Sequence, residues 1–252
     1  MSEVLLGLKP KLPKPLCAWS WLTTPLPTER AAALRIAAGF VLLFDVLFLY
    51  WPHWRLYYGV GGTGDPAITS AFFEAPYFLW SLLRVFPPTW GPPLLLSIWA
   101  LSALALCLGY RPRLAAFVAW VLAVSFLYSN PALHNGGDRL KIFLFLMLCF
   151  LPSDGCWTIR RHPLARTASK VFVQPWPIRL LLVQLCVLYF FNGYYKFLGT
   201  RWRDGSALHY VVNDPSWARF SSNYLPIPHA LFPALAWLTL IWELGFPLFV
   251  LF

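Results

Sequence analysis

The chain has 252 residues, 59% of them hydrophobic and 12% charged, and its mean hydropathy is +0.59. Soluble globular proteins are about 45–50% apolar and about 25% charged, so these values exclude an ordinary soluble domain. The net charge of +10 is spread over the segments between apolar runs, which indicates a role in membrane topology and argues against nucleic-acid binding. We therefore expect an all-α polytopic membrane protein whose main partner is the lipid bilayer.

The first 30 residues contain several Pro and Lys residues and lack the apolar core of a signal peptide. They predict an N-terminal cytoplasmic or interfacial tail. The remainder, residues 31–252, is predicted to form one transmembrane domain. Because the last apolar run ends at Phe252 without a flanking charge, we expect the natural chain to continue beyond it.

Six apolar runs predict about six transmembrane helices, since a span takes roughly 20 residues. They cover residues 31–51, 93–108, 114–128, 140–151, 178–198 and 230–252, and the fourth is short. The segment "GYRPR" predicts a tight turn between the second and third helices. Residues 67–86 are apolar but interrupted by Glu74, Pro76 and Arg84, which favours an interfacial helix over a span.

Lys and Arg in the connecting segments set the orientation of such a chain. Ten of them fall on the side of the N-terminus and seven on the other side. This bias predicts a multi-pass protein of the cell membrane with a cytoplasmic N-terminus. It places the loops 52–92, 129–139 and 199–229 together on the outer side.

The five cysteines are too few and too far apart for a cysteine-based site. No CxxC pair occurs, and an odd count without close spacing is not typical of a disulfide framework or a zinc site. We expect inert thiols and no metal centre.

Two acidic residues lie within predicted spans, where a charge is costly unless it is paired or faces a cavity. Asp45 lies two-thirds of the way along the first span, and Arg35 is ten residues away, too far to pair with it. Asp45 therefore needs a partner from another helix. Glu243 lies in the last span, one turn before Pro247, which frees a carbonyl and favours a kink. Each is either a structural partner in an ion pair or hydrogen bond, or an acid facing a cavity.

The fifth predicted helix carries Tyr189, Asn192 and Lys196 within an arc of about 60°. One interpretation is an interfacial lysine whose stem lies along apolar surface while its ammonium reaches the headgroups. The other is a desolvated amine, because burial favours the neutral form of lysine, which can act as a base or nucleophile.

The loop "SNPALHNGGDRLKIF" holds a second group of polar residues. Gly136 and Gly137 predict a tight turn whose amides could bind an anion, and Asp138 is predicted to cap a helix that begins near Arg139. A structural cap is the alternative to an anion site. The candidate residues of this loop are His134, Asn135, Asp138 and Arg139.

Five segments together resemble one family. They are "LRIAAGFVLLFD", "YYGVGGTGDP", "NPALHNGGDRLKIFLFLMLCFLPSDG", "YFFNGYYKFLGTRWRDGSALHY" and "WELGFPLF". Their order and spacing resemble the horizontally transferred transmembrane (HTTM) domain, the membrane portion shared with vitamin K-dependent gamma-carboxylase. The resemblance covers roughly residues 28–252.

The resemblance implies an activity on a lipophilic quinol such as reduced vitamin K, with oxygen and carbon dioxide. In the carboxylase, a lysine near the outer end of a helix is the base that starts quinone epoxidation, and Lys196 matches it. Tyr195 stands where the carboxylase has the first of two lysines, and His134 has no clear counterpart. These 252 residues contain no match to the large lumenal domain that binds the protein substrate of the carboxylase.

Three functions follow from these observations. The first is a carboxylase-like enzyme with Lys196 as its base. Its cofactor is not identified by the sequence, and the resemblance implies reduced vitamin K or another quinol. Its pocket would be shaped by Asp45, His134, Asn135, Asp138, Arg139, Asn192, Trp202 and Glu243. The second is a non-catalytic binding, immunity or scaffold protein. The third is a transporter, which ranks last because the sequence shows no sign of an inverted repeat.

Overall fold

Helices dominate the computed structural model, which describes residues 23–65, 68–69, 80–130, 133, 135–159, 172–214 and 228–251. These residues divide into two units, 23–181 and 182–251. The boundary falls inside one long helix. The all-α prediction is confirmed, and two short antiparallel strands, β1 (Leu26–Pro27) and β2 (Phe172–Val173), are the sheet structure of the described residues.

The helices follow the apolar runs closely. They are α1 (Thr28–Phe44, continued by a π-helical segment, Asp45–Tyr50), α2 (Trp54–Tyr58), α3 (Gly91–Leu108), α4 (Pro112–Ser129), α5 (Gly136–Phe150), α6 (Trp176–Leu198), α7 (Thr200–Arg203), α8 (Ala207–Asn213) and α9 (Leu231–Leu251), with a 3₁₀ turn at Leu82–Arg84.

Five of these helices are long and apolar enough to cross a membrane, judged over the described residues. They correspond to the first, second, third, fifth and sixth predicted spans. The fourth prediction is α5, whose 15 residues give a length of about 22 Å, short of the hydrocarbon core. The chain is therefore a multi-pass integral membrane protein.

In the first unit, α1 packs on α3, α3 on α4, and α4 on α5. The centre of this packing is aromatic, because Trp99 and Phe126 stack with ring centroids 5.0 Å apart. The "GYRPR" turn is confirmed: α3 ends at Leu108, Gly109 adopts a left-handed φ of 68°, and Pro112 begins α4. Glycine takes that conformation without steric cost.

Arg35 is fully buried within the first unit. Its guanidinium donates hydrogen bonds of 2.6 Å to the carbonyl oxygens of Ser153 and Trp157. These bonds join α1 to the segment that follows α5. Trp157 has a φ of 51°, a conformation uncommon outside glycine, so the arginine holds a strained segment in place.

The second unit contains the end of α6 and the helices α7 to α9. Gly193 of α6 lies against Glu243 and Leu244 of α9, and Tyr189 stacks on Phe246 with ring centroids 4.3 Å apart. Side chains of the larger helices here are mostly exposed. This is the expected condition of helices whose surroundings are lipid.

Two sequence predictions at the start of α5 are wrong. The helix begins at Gly136, not near Arg139, and its cap is Asn135, not Asp138. The Asn135 side chain accepts from the Asp138 N–H, and Asp138 accepts from the Asn135 N–H. This reciprocal capping box draws the two glycines into the first helical turn.

Three predictions lie wholly or mostly outside the described residues. They are the N-terminal tail before residue 23, His134, and most of the interfacial helix predicted over 67–86. Of that last stretch the structure describes residues 68–69 and 80–86, which include the 3₁₀ turn at Leu82–Arg84.

Candidate functional site

Lys196 lies in the last turn of α6, where the negative end of the helix dipole favours a cation. Its Nζ is 2.5 Å from Oε1 of Glu243 on α9 and 4.9 Å from the centroid of the Trp202 ring. The lysine side chain is 30% exposed and the glutamate 12%. The structure thus brings together three of the predicted site residues.

Glu243 keeps one oxygen unused. Its Oε2 is buried and has no hydrogen-bond partner among the described residues. The helix runs on through Pro247, which has no N–H to donate to the carbonyl of Glu243 four residues earlier. The glutamate therefore combines, at one level of α9, a paired oxygen, an oxygen without a partner among the described residues, and a backbone carbonyl that receives no hydrogen bond from residue 247.

The side of α6 that faces α9 carries Tyr189, Gly193 and Lys196, three positions that share one helix face. Asn192 lies at the edge of this face and is exposed. The glycine allows the two helices to approach, since a side chain there would meet Glu243 and Leu244. This close approach lets Lys196 reach its partner.

A second group of charged residues forms in the first unit. Lys141 of α5 places its Nζ 2.9 Å from Oδ2 of Asp45 and 2.9 Å from Oδ1 of Asp138. The Tyr50 hydroxyl donates a 3.4 Å hydrogen bond to the same Asp138 oxygen. Asp45 therefore finds the partner from another helix that the sequence requires. We call Asp45, Tyr50, Asp138 and Lys141 the Lys141 cluster.

Sequence reasoning missed Lys141 and Tyr50 as members of this group. The sequence favours Lys141 only as one of the seven basic residues on the outer side. Its position three residues after Asp138 was an available signal, because such residues are neighbours on a helix. Arg139, which was predicted, is exposed and is not a member of the cluster, while Asn135 serves as the cap of α5.

Two cavities adjoin the buried part of the first unit. One has a volume of about 10 Å³, room for about one water molecule, and is bounded partly by the Lys141 cluster. The other has a volume of about 310 Å³, the lower end of the range for small-molecule pockets. Its wall residues include Tyr58, Asp65, Leu83, Arg84, Phe86 and Pro88.

Two titratable groups in the short helices and turns between the long helices have shifted pKa values. Burial raises the pKa of Tyr58 well above the ordinary tyrosine value, so its hydroxyl stays protonated. Hydrogen bonds from the side chain and backbone of Ser206 lower the pKa of the exposed Asp204. Neither group lies in the Lys196–Glu243 pair.

No set of three or more metal-ligating side chains occurs in the described part of the chain. The four cysteines within it are Cys107, Cys149, Cys156 and Cys186, and no disulfide bond joins them to one another. The remaining cysteine, Cys17, lies outside the described residues.

Comparison with known proteins gives one family and one relative of unknown activity. The family model of the HTTM domain matches residues 23–252. "Uncharacterized protein YitO" of Bacillus subtilis (strain 168) is 28% identical over 112 residues, which are 42% of this chain and 35% of that protein. The match thus spans about a third of the relative's length. No solved structure matches the chain.

Proposed function

This chain belongs to the HTTM domain family, and from that premise we propose that it is a membrane enzyme in which Lys196 is the base toward a lipophilic quinol-type substrate. The Lys196–Glu243 pair is the observation that carries the proposal. A lysine can act as a base only when its amine is neutral, so the proton of its ammonium needs an acceptor. Glu243 is that acceptor, 2.5 Å away.

The surroundings of the pair favour this proton exchange. A proton that passes between the two partners leaves the net charge of the pair unchanged, which matters because a net charge is costly in a medium of low dielectric constant. The unpartnered Oε2 of Glu243 can carry the proton. Lys196 can then take the hydroxyl proton of a quinol: the O–H bond breaks, an N–H bond forms, and a quinolate faces an ammonium.

The rest of α6 supports a lipophilic substrate. Exposed aromatic side chains surround the lysine in sequence, namely Phe190, Phe191, Tyr194, Tyr195 and Phe197. Their faces suit stacking with a flat ring system. Tyr195 contacts the rings of Phe191 and Tyr194, so the substitution of the first lysine of the carboxylase pattern leaves the Lys196–Glu243 pair intact.

The test is turnover of reduced naphthoquinones by the purified chain in lipid nanodiscs, followed as oxygen uptake and as fixation of carbon dioxide. Lys196→Ala should abolish turnover while the protein stays folded. Lys196→Arg is the sharper variant, because arginine keeps the positive charge opposite Glu243 but does not lose its proton. Arg203→Ala, which removes an exposed cation on α7, is the matched control and should leave turnover unchanged.

Wild-type rates in Lys196→Arg would contradict a base at this position. A folded wild type without turnover would favour the second candidate, a non-catalytic protein in which the pair joins α6 to α9. The same ion pair supports that candidate, since it connects two helices that touch at few other points. Replacing both residues with Met separates the two functions. A purely structural pair predicts that the double variant stays folded and keeps the turnover of the wild type. A catalytic pair predicts that the double variant stays folded and loses turnover.

A further inference from the structure

The cavity of about 310 Å³ in the first unit lies between three segments that are separated in the chain. The loop after α2 contributes Gly64 and Asp65. The segment of the 3₁₀ turn contributes Arg84 and Phe86, and α4 contributes its last residue, Ser129. A volume of this size suits a small organic molecule and exceeds what one water molecule needs.

Hydrogen bonds fix the walls of this cavity on the end of α4. The Ser81 hydroxyl, next to the 3₁₀ turn, donates to the Ser125 carbonyl oxygen over 2.8 Å. The side-chain amide of Asn130 donates to the Tyr57 carbonyl oxygen over 3.0 Å and to the Thr63 hydroxyl over 2.8 Å. Ser81 and Asn130 are both buried. The cavity is therefore a preformed feature of the fold, as is usual for small-molecule sites.

Arg84 supplies the charge that is available to a ligand in this cavity. Its side chain is exposed and forms no ion pair within the described residues. Asp65 also lines the cavity, but its Oδ2 accepts a 2.7 Å hydrogen bond from the Gly61 N–H and so fixes the loop after α2. A ligand with one negative charge can pair with Arg84, whereas a second negative charge would be opposed by Asp65.

The rest of the cavity wall is largely apolar. Leu83, Phe86 and Pro88 line it and are half-buried, so a part of each side chain remains open to a ligand. Exposed tryptophans lie at both ends of this segment, at Trp80 and Trp90. Tryptophan collects at the boundary between lipid and water. These features favour an amphiphilic ligand that partitions to that boundary.

We propose that this cavity binds a small carboxylate with an apolar aromatic or aliphatic body. The carboxylate pairs with Arg84, because a guanidinium offers two parallel N–H donors that match its two oxygens. The apolar body packs against Leu83, Phe86 and Pro88. Such a ligand comes either from water, as a soluble aromatic acid, or from the lipid phase, as a short fatty acid. The proposal goes beyond the enzyme function, since it concerns binding in the first unit and Lys196 lies in the second.

Isothermal titration calorimetry of the chain in phosphatidylcholine nanodiscs tests the proposal, with empty nanodiscs as the blank. One arm uses 3-phenylpropionate and the other octanoate; saturable binding of either supports the site, and the tighter ligand indicates the source. Arg84→Gln should weaken binding by about tenfold or more. This variant should fold, because Arg84 is exposed, and its melting temperature checks that it does. Arg203→Gln, which removes an exposed arginine of the second unit, is the matched control and should keep the wild-type affinity.

Three results would overturn the proposal. The first is a folded wild type that binds neither carboxylate. The second is an affinity that stays the same in Arg84→Gln, or that is equal for 3-phenylpropanol, which has the same body without the charge. The third is displacement of the carboxylate by phosphatidylglycerol, which would identify a lipid headgroup as the ligand. Each readout is binding and not turnover, so failure here can be separated from failure of the proposed enzyme function.

Discussion

Two regions of this protein each pair a lysine with an acid from another helix, and they differ in what surrounds the pair. Lys141 lies between two aspartates in the first unit, where 56% of the α4 span is buried inside the protein. Lys196 meets one glutamate in the second unit, where 11% of the α9 span is buried. The first lysine is confined on several sides, and the second is held by one carboxylate and one aromatic ring.

This difference suits the two lysines to different roles, one structural and one open to a reactant. A lysine whose ammonium is held by two carboxylates in a largely buried cluster has little room for a further reactant, and it stabilises charge within the helix packing. A lysine with one partner and a 30% exposed side chain can exchange that partner for a substrate. The comparison therefore favours a structural role for Lys141 in the first unit and the proposed base in the second.

The arginines of the two regions provide the test with the largest expected effect. Arg35→Met would leave the carbonyls of Ser153 and Trp157 without their donors in a buried place. Hydrogen bonds to charged groups contribute about 1.5–3 kcal/mol each, so we expect a loss of about 4 kcal/mol in the free energy of unfolding. Arg201→Met removes an exposed cation–π contact with Tyr210 and should cost below about 1 kcal/mol. Unfolding by SDS in mixed micelles measures both, and equal losses would contradict the contrast.

The lysines themselves should follow the same order. Lys141→Met leaves Asp138 without its cation in a largely buried cluster, for which we expect a loss of about 3 kcal/mol. Lys196→Met removes a lysine that is more exposed than Lys141 and makes one ion pair instead of two, although Glu243 is as enclosed as Asp138, so the loss should be smaller, about 2 kcal/mol. The same unfolding titration gives both values. A larger loss in Lys196→Met would show that the second pair is the main structural anchor, against the assignment made above.

Glycines at the two helix crossings test how closely each region is packed. A methyl group at Gly39 would lie 2.9 Å from the Ala103 carbonyl oxygen and the Cys107 nitrogen, which are backbone atoms and cannot yield. We expect Gly39→Ala to cost about 2 kcal/mol. At Gly193 the nearest atoms are side-chain carbons of Glu243 and Leu244, 3.0 Å away, and the backbone nitrogen of Leu244, 3.1 Å away. This contact is slightly looser, and the gain in helix propensity should offset part of the strain, so Gly193→Ala should cost about 1 kcal/mol.

The same pair of variants separates stability from activity. Gly193→Ala should shift Glu243 away from Lys196 and lower turnover although it costs less stability than Gly39→Ala does. Gly39→Ala should lower stability and leave the rate per folded molecule unchanged. Turnover normalised to the folded fraction measures this, and an unaffected rate in Gly193→Ala would show that the spacing of α6 and α9 does not control the site.

The helices could be predicted from the sequence because lipid imposes length and apolar character on each span separately. Boundaries shifted where local polar chemistry decides them, as at Asn135 and Asp138, whose reciprocal bonds start α5 earlier than the apolar run does. The aspartate at position 45 predicted that a partner exists, since an unpaired charge is too costly there. It could not identify Lys141, because that choice depends on which helices pack together.

The candidate site shows the same limit. Lys196 and Trp202 are near one another in the chain, so their contact follows from helix geometry and a short turn. Glu243 is 47 residues beyond the lysine, and the sequence did not identify which residue it pairs with. The role of Arg35 could not be predicted either, because the carbonyls that it binds lie 118 and 122 residues further along the chain. Contacts between distant segments arise from the packing of whole helices, and this packing cannot be predicted from the pattern of a single sequence.

The smallest expected effect concerns the local bonds that order the exposed part of the second unit. The Ser206 side chain and N–H lower the pKa of Asp204, so the folded protein binds that proton less tightly than the unfolded chain does. The resulting stabilisation is present at pH values above the ordinary aspartate value of about 4, and it is lost as the pH falls through the lowered folded-state value. Asp204→Asn should therefore be slightly less stable than the wild type at neutral pH and equally stable in strong acid. A difference that persists in acid would mean that the turn after α7 is held by something other than this carboxylate. In that case the ordering of Trp202 beside Lys196 would be independent of pH.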